Sequence, residues 1–68
     1  MAIVILLNGE PRTAPDGQTV LGLLEQLQLD PSRVAVELNR QIVHKRDWET
    51  TLVVSGAQLE IVEFVGGG

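Results

Sequence analysis

Two kinds of hydrophobic periodicity alternate along the chain. An unbroken apolar run at residues 3–7 precedes Asn8-Gly9, a dipeptide suited to the positive φ angles of a two-residue hairpin turn. The return segment at residues 10–14 is short and polar and contains Pro11, which has no N–H to give to a sheet ladder. We therefore predict a first strand, a tight turn and a second strand at the edge of a sheet.

A helical period follows the turn residues at 15–17. Thr19 is suited to cap a helix. The core-facing side of this helix carries apolar residues at positions i, i+3, i+4 and i+7, namely Val20, Leu23, Leu24 and Leu27. Proline cannot continue a helix, so Pro31 sets the end of the helix near Leu29. The pattern predicts one amphipathic helix with a single face against the sheet.

The second half of the chain returns to a period of two. Apolar residues alternate along residues 34–38, which is typical of a strand with one buried face. The remaining predicted elements are a turn at 39–41, a short strand at 42–43, a charged connection at 44–49, a turn at Ser55-Gly56 and a last strand at 59–65. The connection holds the only tryptophan, Trp48, which we expect to close one end of the core.

The order of these elements favours one compact arrangement. It is an α+β fold of the β-grasp, or ubiquitin-like, architecture: a mixed sheet of four to five strands, the first and last paired in its middle, with the helix across one face. Alternation in the last strand places Leu59 and Ile61 on the helix side and Val62 and Phe64 on the other. An apolar patch that no helix covers usually marks a docking surface.

Composition narrows the class of protein further. The chain has 68 residues, a net charge of −4, one histidine and no cysteine. These numbers predict one domain, residues 1–65, with no disulfide, no metal site and no bound cofactor. Scattered cations disfavour nucleic acid as a partner, and no apolar stretch suggests a membrane or export, so we expect a cytoplasmic protein. His44 and Asp47 could form an acid-base pair, but a lone histidine in a charged loop is more often a solvated residue.

The chain ends in three glycines, which we expect to form a thin, flexible tail at residues 66–68. Three extended residues reach roughly 10 Å, enough to carry a terminal carboxylate into another protein's active site. A carboxylate becomes reactive once ATP converts it to an acyl-adenylate. We assign the reaction to Gly68 and its neighbour Gly67, and we assign partner contact to Val62, Phe64, Val65, Gly66, Glu60 and Glu63. The two glutamates could also steer the tail toward a basic pocket.

The chain resembles the ThiS family of sulfur carrier proteins of thiamine biosynthesis. The resemblance rests on the Asn8-Gly9 hairpin, the strand at residues 34–39, the polar segment before Trp48, and the closing segment from Leu59 to Gly68. It implies that a ubiquitin-activating-type enzyme, ThiF, adenylates Gly68 and that the product is a thiocarboxylate. It further implies a sulfur donor such as a cysteine desulfurase, and delivery of the sulfur to the thiazole synthase ThiG. The protein is then a substrate of enzymes and not an enzyme.

The same sequence features also fit other classes of protein. The small subunit of molybdopterin synthase, MoaD, and protein modifiers joined to lysines also end in two glycines. A β-grasp binding module without terminal chemistry is a further alternative. One departure from the family pattern is Ser55-Gly56-Ala57 before the last strand, where Gly-Asp is expected.

Overall fold

The computed structural model describes residues 1–64, and its elements follow the predicted order. In chain order they are β1 (Ala2–Leu7), β2 (Glu10–Pro15), α1 (Val20–Gln26), a 3₁₀ helix (Pro31–Arg33), β3 (Val34–Leu38), β4 (Gln41–Val43), a second 3₁₀ helix (Lys45–Asp47) and β5 (Gln58–Glu63). The five strands form one sheet in the order β2-β1-β5-β3-β4. β1 and β5 run parallel and the other neighbours antiparallel, which confirms the mixed sheet with strands one and five paired in its middle.

Two hairpins form the outer parts of the sheet. Asn8 and Gly9 have φ angles of 51° and 83°, as a primed two-residue turn requires, and β2 is an edge strand as Pro11 predicts. The second turn is Asn39-Arg40, with φ angles of 51° and 70°. Gln41, predicted as part of this turn, is instead the first residue of β4. A left-handed arginine is unusual, because a side chain at positive φ meets its own backbone.

The helix begins where predicted and ends earlier. The Thr19 hydroxyl accepts a hydrogen bond from the Gly22 N–H at 3.1 Å and so caps the first turn. The helix was expected to reach Leu29, but it stops at Gln26 because Gln28 turns left-handed, with φ 60°. The N–H groups of Gln28 and Leu29 then donate to the carbonyls of Glu25 and Leu24, both at 3.0 Å. This pair of bonds is a Schellman motif, formed here without glycine.

The core lies between the helix and one face of the sheet. Within residues 1–64, eleven buried apolar residues form one cluster: Ile5, Ala14, Val20, Leu23, Leu24, Val34, Val36, Trp48, Val53, Ala57 and Leu59. Trp48 is 3% exposed, and its indole N–H donates to the Val43 carbonyl at 2.8 Å, so its polar atom is satisfied within the core. The prediction that Trp48 belongs to the core is confirmed.

The last strand is shifted relative to the prediction of residues 59–65. It begins at Gln58, after a turn in which Gly56 has φ 84°, so the predicted Ser55-Gly56 turn is present. It ends at Glu63, and Phe64 follows outside the strand. Val65 and residues 66–68, which include the predicted tail, lie outside the described residues.

Candidate functional site

The central strand β5 ends at Glu63, and in the sequence only Phe64 and Val65 separate it from the terminal glycines. It pairs with the whole of β3, from Leu38 opposite Leu59 to Val34 opposite Glu63. One further backbone bond follows, in which the Phe64 N–H donates to the Arg33 carbonyl at 2.6 Å. The chain is therefore held by the sheet up to the residue that lies four positions before Gly68.

The carbonyl that receives Phe64 belongs to a capped 3₁₀ helix. Asp30 accepts hydrogen bonds from the Ser32 N–H at 2.9 Å and the Ser32 hydroxyl at 2.7 Å. These bonds favour the ionised carboxylate and lower the pKa of Asp30 below its ordinary value of 3.8. The cap holds Arg33 at the end of this turn, so a local sequence signal, Asp30-Pro31-Ser32, helps to position the end of β5.

The other side of β5 depends on one side chain. β1 pairs with β5 at only two positions and then turns away at Asn8. The Asn8 amide takes over the pairing: its Oδ1 accepts from the Ile61 N–H at 2.8 Å and its Nδ2 donates to the Ile61 carbonyl at 3.2 Å. Asn8 therefore extends the ladder beyond the end of β1. Sequence reasoning used Asn8 only as a turn residue and missed this role.

The two faces of the sheet differ as the alternation predicts. On the helix side Leu59 is buried and Ile61 is partly buried. On the opposite side, which we call the open face, Val62 and Phe64 are each 57% exposed. Register places residues of neighbouring strands on the open face as well, among them Val4, Ala35, Glu37 and Ile42. The predicted uncovered apolar patch is thus present and extends across several strands.

The two glutamates predicted to act together lie on opposite sides of the sheet. Glu60 shares the open face with Val62, whereas Glu63 lies on the helix side. There Glu63 lines a depression of about 290 Å³ with Arg12, Asn8 and apolar residues that include Leu27 and Ile61. The sequence pattern could have shown this separation, because residues three apart in a strand face opposite ways.

The candidate acid-base pair does not form. His44 and Asp47 are joined by a backbone bond, from the Asp47 N–H to the His44 carbonyl at 2.8 Å, while the Asp47 carboxylate lies 3.9 Å from Arg46 Nε. No group of metal-binding side chains is present within residues 1–64. No helix in that part of the chain is long and apolar enough to cross a membrane.

Within residues 1–64, a five-stranded mixed sheet is crossed by one helix, and the sequence ends in glycines soon after the central strand. Together these features define a ubiquitin-like β-grasp protein. The ThiS family model matches residues 5–68, a range that includes the terminal glycines. The chain belongs to the ThiS family.

Named relatives agree with this assignment. Over 64 residues the chain is 36% identical to the sulfur carrier protein ThiS of Escherichia coli, with 94% of this chain and 97% of that protein covered. A solved structure of the thiamine biosynthesis protein ThiS from Geobacter metallireducens superposes with a TM-score of 0.80 at 31% identity, covering 97% of this chain and 100% of the other. The predicted ubiquitin-like fold is confirmed.

A second kind of relative is much longer. The thiazole synthase of Magnetococcus marinus is 42% identical to this chain over 64 residues, which cover 94% of this chain. The chain spans only 20% of the length of that protein. In this relative, a segment similar to the whole β-grasp chain is therefore part of a larger polypeptide.

Proposed function

We propose that this protein is the sulfur carrier of thiamine biosynthesis and that its C-terminal Gly68 carries the sulfur. The observation that supports the proposal most strongly is the family match through residue 68, which covers the glycines as well as the domain. The protein is then a co-substrate that enzymes act on, and it needs no bound cofactor of its own. We assign the globular domain to residues 1–65 and the reactive tail to residues 66–68.

The chemistry requires two displacements at the terminus. A carboxylate oxygen of Gly68 attacks the α-phosphorus of ATP, and pyrophosphate leaves as the acyl-adenylate forms. A sulfur nucleophile then attacks the carbonyl carbon, the bond from that carbon to the AMP oxygen breaks, and AMP leaves. With sulfide as the nucleophile the product is the thiocarboxylate, and no oxidant or reductant is consumed. Gly67 has no Cβ, so enzyme groups can approach the reacting carbon closely.

Three partners follow from this scheme. A ThiF-type enzyme binds ATP and forms the adenylate, and a donor such as a cysteine desulfurase supplies the sulfur. Because such a donor carries its sulfur as a persulfide, its attack on the adenylate releases AMP and forms an acyl disulfide, and a thiol reductant then breaks the S–S bond to release the thiocarboxylate. A ThiG-type thiazole synthase receives the sulfur. The thiazole synthase of Magnetococcus marinus, which contains a segment similar to this chain, supports the assignment of a thiazole synthase as partner. Fusing a carrier to the enzyme that it serves raises their effective concentration for each other.

The open face supplies the docking surface in this proposal. Val62 and Phe64 are large, exposed and only a few residues before the tail, so an enzyme that binds them also receives the terminus. Val65 and Gly66 continue the contact toward the active site. Glu60 adds charge on the same face, and Glu63 adds charge on the helix side.

Removal of Gly68 tests the proposal. The truncated chain is shorter by about 3.3–3.6 Å, so its carboxylate no longer reaches the ATP phosphate. We expect no pyrophosphate exchange with the ThiF-type enzyme and no mass increase from replacement of one oxygen by sulfur. Gly67→Val should fail as well, whereas Gly66→Ala serves as a milder control. Normal adenylation and thiolation of the truncated protein would make the assignment wrong, and isopeptide conjugates would indicate a protein modifier instead.

Phe64→Asp tests the docking surface separately. Interface anchors of this type contribute about 2 kcal/mol or more, so binding to the ThiF-type and ThiG-type enzymes should both weaken by at least about thirtyfold. The fold should remain intact, because Phe64 lies outside the core cluster. Unchanged binding of both enzymes would exclude the open face as their docking surface.

A further inference from the structure

Two glutamates occupy opposite positions of neighbouring strands on the open face. Glu37 of β3 lies directly opposite Glu60 of β5. Residues opposite each other in an antiparallel pair have Cβ atoms about 4.5–5.5 Å apart, and like charges at this distance are destabilising. The only ion pairs within residues 1–64 are Asp30 with Arg33 and Arg46 with Asp47, so neither glutamate is ion-paired in this part of the chain.

The surroundings of this pair are apolar. Ile42 lies opposite Glu37 on its other side and is 68% exposed. Val62, with Ala35 opposite it, lies two residues further along β5 from Glu60. The one basic residue within the strands, Arg12, is opposite the buried Ile5 and therefore on the helix side. The open face thus presents a negative centre, unpaired in the free domain, with exposed apolar side chains around it.

We infer that the open face binds an enzyme surface that places one basic side chain, an arginine, between Glu37 and Glu60 and apolar side chains against Val62 and Ile42. This inference rests on the proposed function, in which the first enzyme to bind is the ThiF-type adenylating enzyme. Charge complementarity supports it: a guanidinium has five N–H donors in a rigid fork and can bond two carboxylates at once. One arginine then turns the repulsion between the glutamates into two charge-assisted contacts.

Neutralising one of these glutamates should raise the stability of the free protein and lower its affinity for the enzyme. In the free protein, neutralising either glutamate removes the repulsion across the two strands and should raise the unfolding temperature slightly. In the complex, the same change removes a charged partner of the arginine and should weaken binding. If a glutamate is only a solvated residue on the strand surface, neutralising it should change neither stability nor binding. If it acts only through the net charge of the protein, its neutralisation should change the unfolding temperature by the same amount as neutralisation of any other surface glutamate.

The experiment compares Glu37→Gln and Glu60→Gln with Glu25→Gln, which makes the same change in net charge on the exposed side of the helix. Kd for the ThiF-type enzyme is measured by titration calorimetry at low and high salt, alongside thermal unfolding of each free variant. We expect each open-face variant to bind about tenfold more weakly or worse and to lose part of its salt dependence. The Glu25→Gln control should stay within about twofold, since a distant surface charge acts only through the screened overall field.

The outcomes separate this inference from the proposed function. If the wild-type protein is adenylated and the three variants bind equally well, or weaken equally, the arginine between the glutamates is excluded while the carrier function stands. If the enzyme neither binds nor adenylates the wild-type protein, the proposed function fails and this inference fails with it. Loss of binding in Glu37→Gln and Glu60→Gln alone, with unfolding temperatures at or above that of wild type, supports it.

Discussion

Replacement of Asn8 by glycine would show how firmly the end of β5 is held. The Asn8 amide makes two hydrogen bonds to the backbone of Ile61, at 2.8 Å and 3.2 Å, where β1 has already turned away. Glycine removes both bonds and tolerates the φ of 51° at this position, so the substitution introduces no backbone strain. Asn8→Gly therefore removes the side-chain bonds without strain in the folded state, and adds only the cost of the greater freedom of glycine in the unfolded chain.

The expected size of the effect follows from the number of bonds and their exposure. Each hydrogen bond contributes a net of about 0.5–1.5 kcal/mol, and water can replace part of this because Ile61 is only partly buried. We expect Asn8→Gly to lower the free energy of unfolding by about 1–2 kcal/mol. Asn8→Ala should cost about 1 kcal/mol more, since alanine at positive φ adds the strain that glycine avoids.

Two measurements check this prediction. Urea unfolding can be followed by the fluorescence of Trp48, which is the only tryptophan and is 3% exposed in the folded state. Hydrogen exchange of the Ile61 amide reports directly on the bond to Asn8, and we expect faster exchange in both variants. An unchanged midpoint together with unchanged exchange of the Ile61 amide in Asn8→Gly would refute the role assigned to this side chain.

Three other substitutions test separate parts of the fold. Leu24→Ala should destabilise by about 2–5 kcal/mol in urea unfolding, because Leu24 is fully buried against the sheet; a shift near zero would contradict the packing of the helix. Gln28→Gly should stabilise by roughly 1 kcal/mol in the same assay, since it relieves the left-handed conformation at the helix end, and a loss of stability would contradict that conformation. Ser32→Ala should return the pKa of Asp30 toward 3.8 in an NMR titration. The lowered pKa in the wild-type protein favours folding above pH 3.8, and this contribution is lost as the pH falls through the lowered value. The variant keeps the backbone bond of residue 32 and should lose only the part that the hydroxyl contributes; an unchanged pKa would mean that the Ser32 hydroxyl is not a cause.

Much of the fold could be predicted because the two periods of hydrophobicity are nearly uninterrupted. Alternation at residues 34–38 and the helical spacing from Val20 assign each element to its type, and the order of elements then leaves few topologies. Boundaries were less predictable. Leu27 continues the helical period, and no glycine marks the stop, so the early end at Gln26 depends on a left-handed glutamine that sequence rules do not anticipate.

The candidate site was likewise predictable only in part. Alternation alone placed Val62 and Phe64 on the uncovered face, since that property depends on one strand. The pairing of Glu37 with Glu60 and the bonds from Asn8 to Ile61 depend on how strands distant in the chain align. That alignment is decided by tertiary packing, and no local pattern in the sequence contains it.

The position of the open face on the same strand that leads to Gly68 has a kinetic consequence. Under the proposed function, two enzymes need the same face and the same terminus, so their complexes with the carrier exclude each other and every cycle includes a complete dissociation. With association at about 10⁶ M⁻¹s⁻¹, a Kd of 1 nM corresponds to a complex lifetime on the order of 1,000 s, whereas a Kd of 1 μM corresponds to about 1 s. Under the proposed function, such a face therefore serves both enzymes best at moderate affinity, and substitutions that tighten one complex are expected to slow release of the carrier and so each cycle.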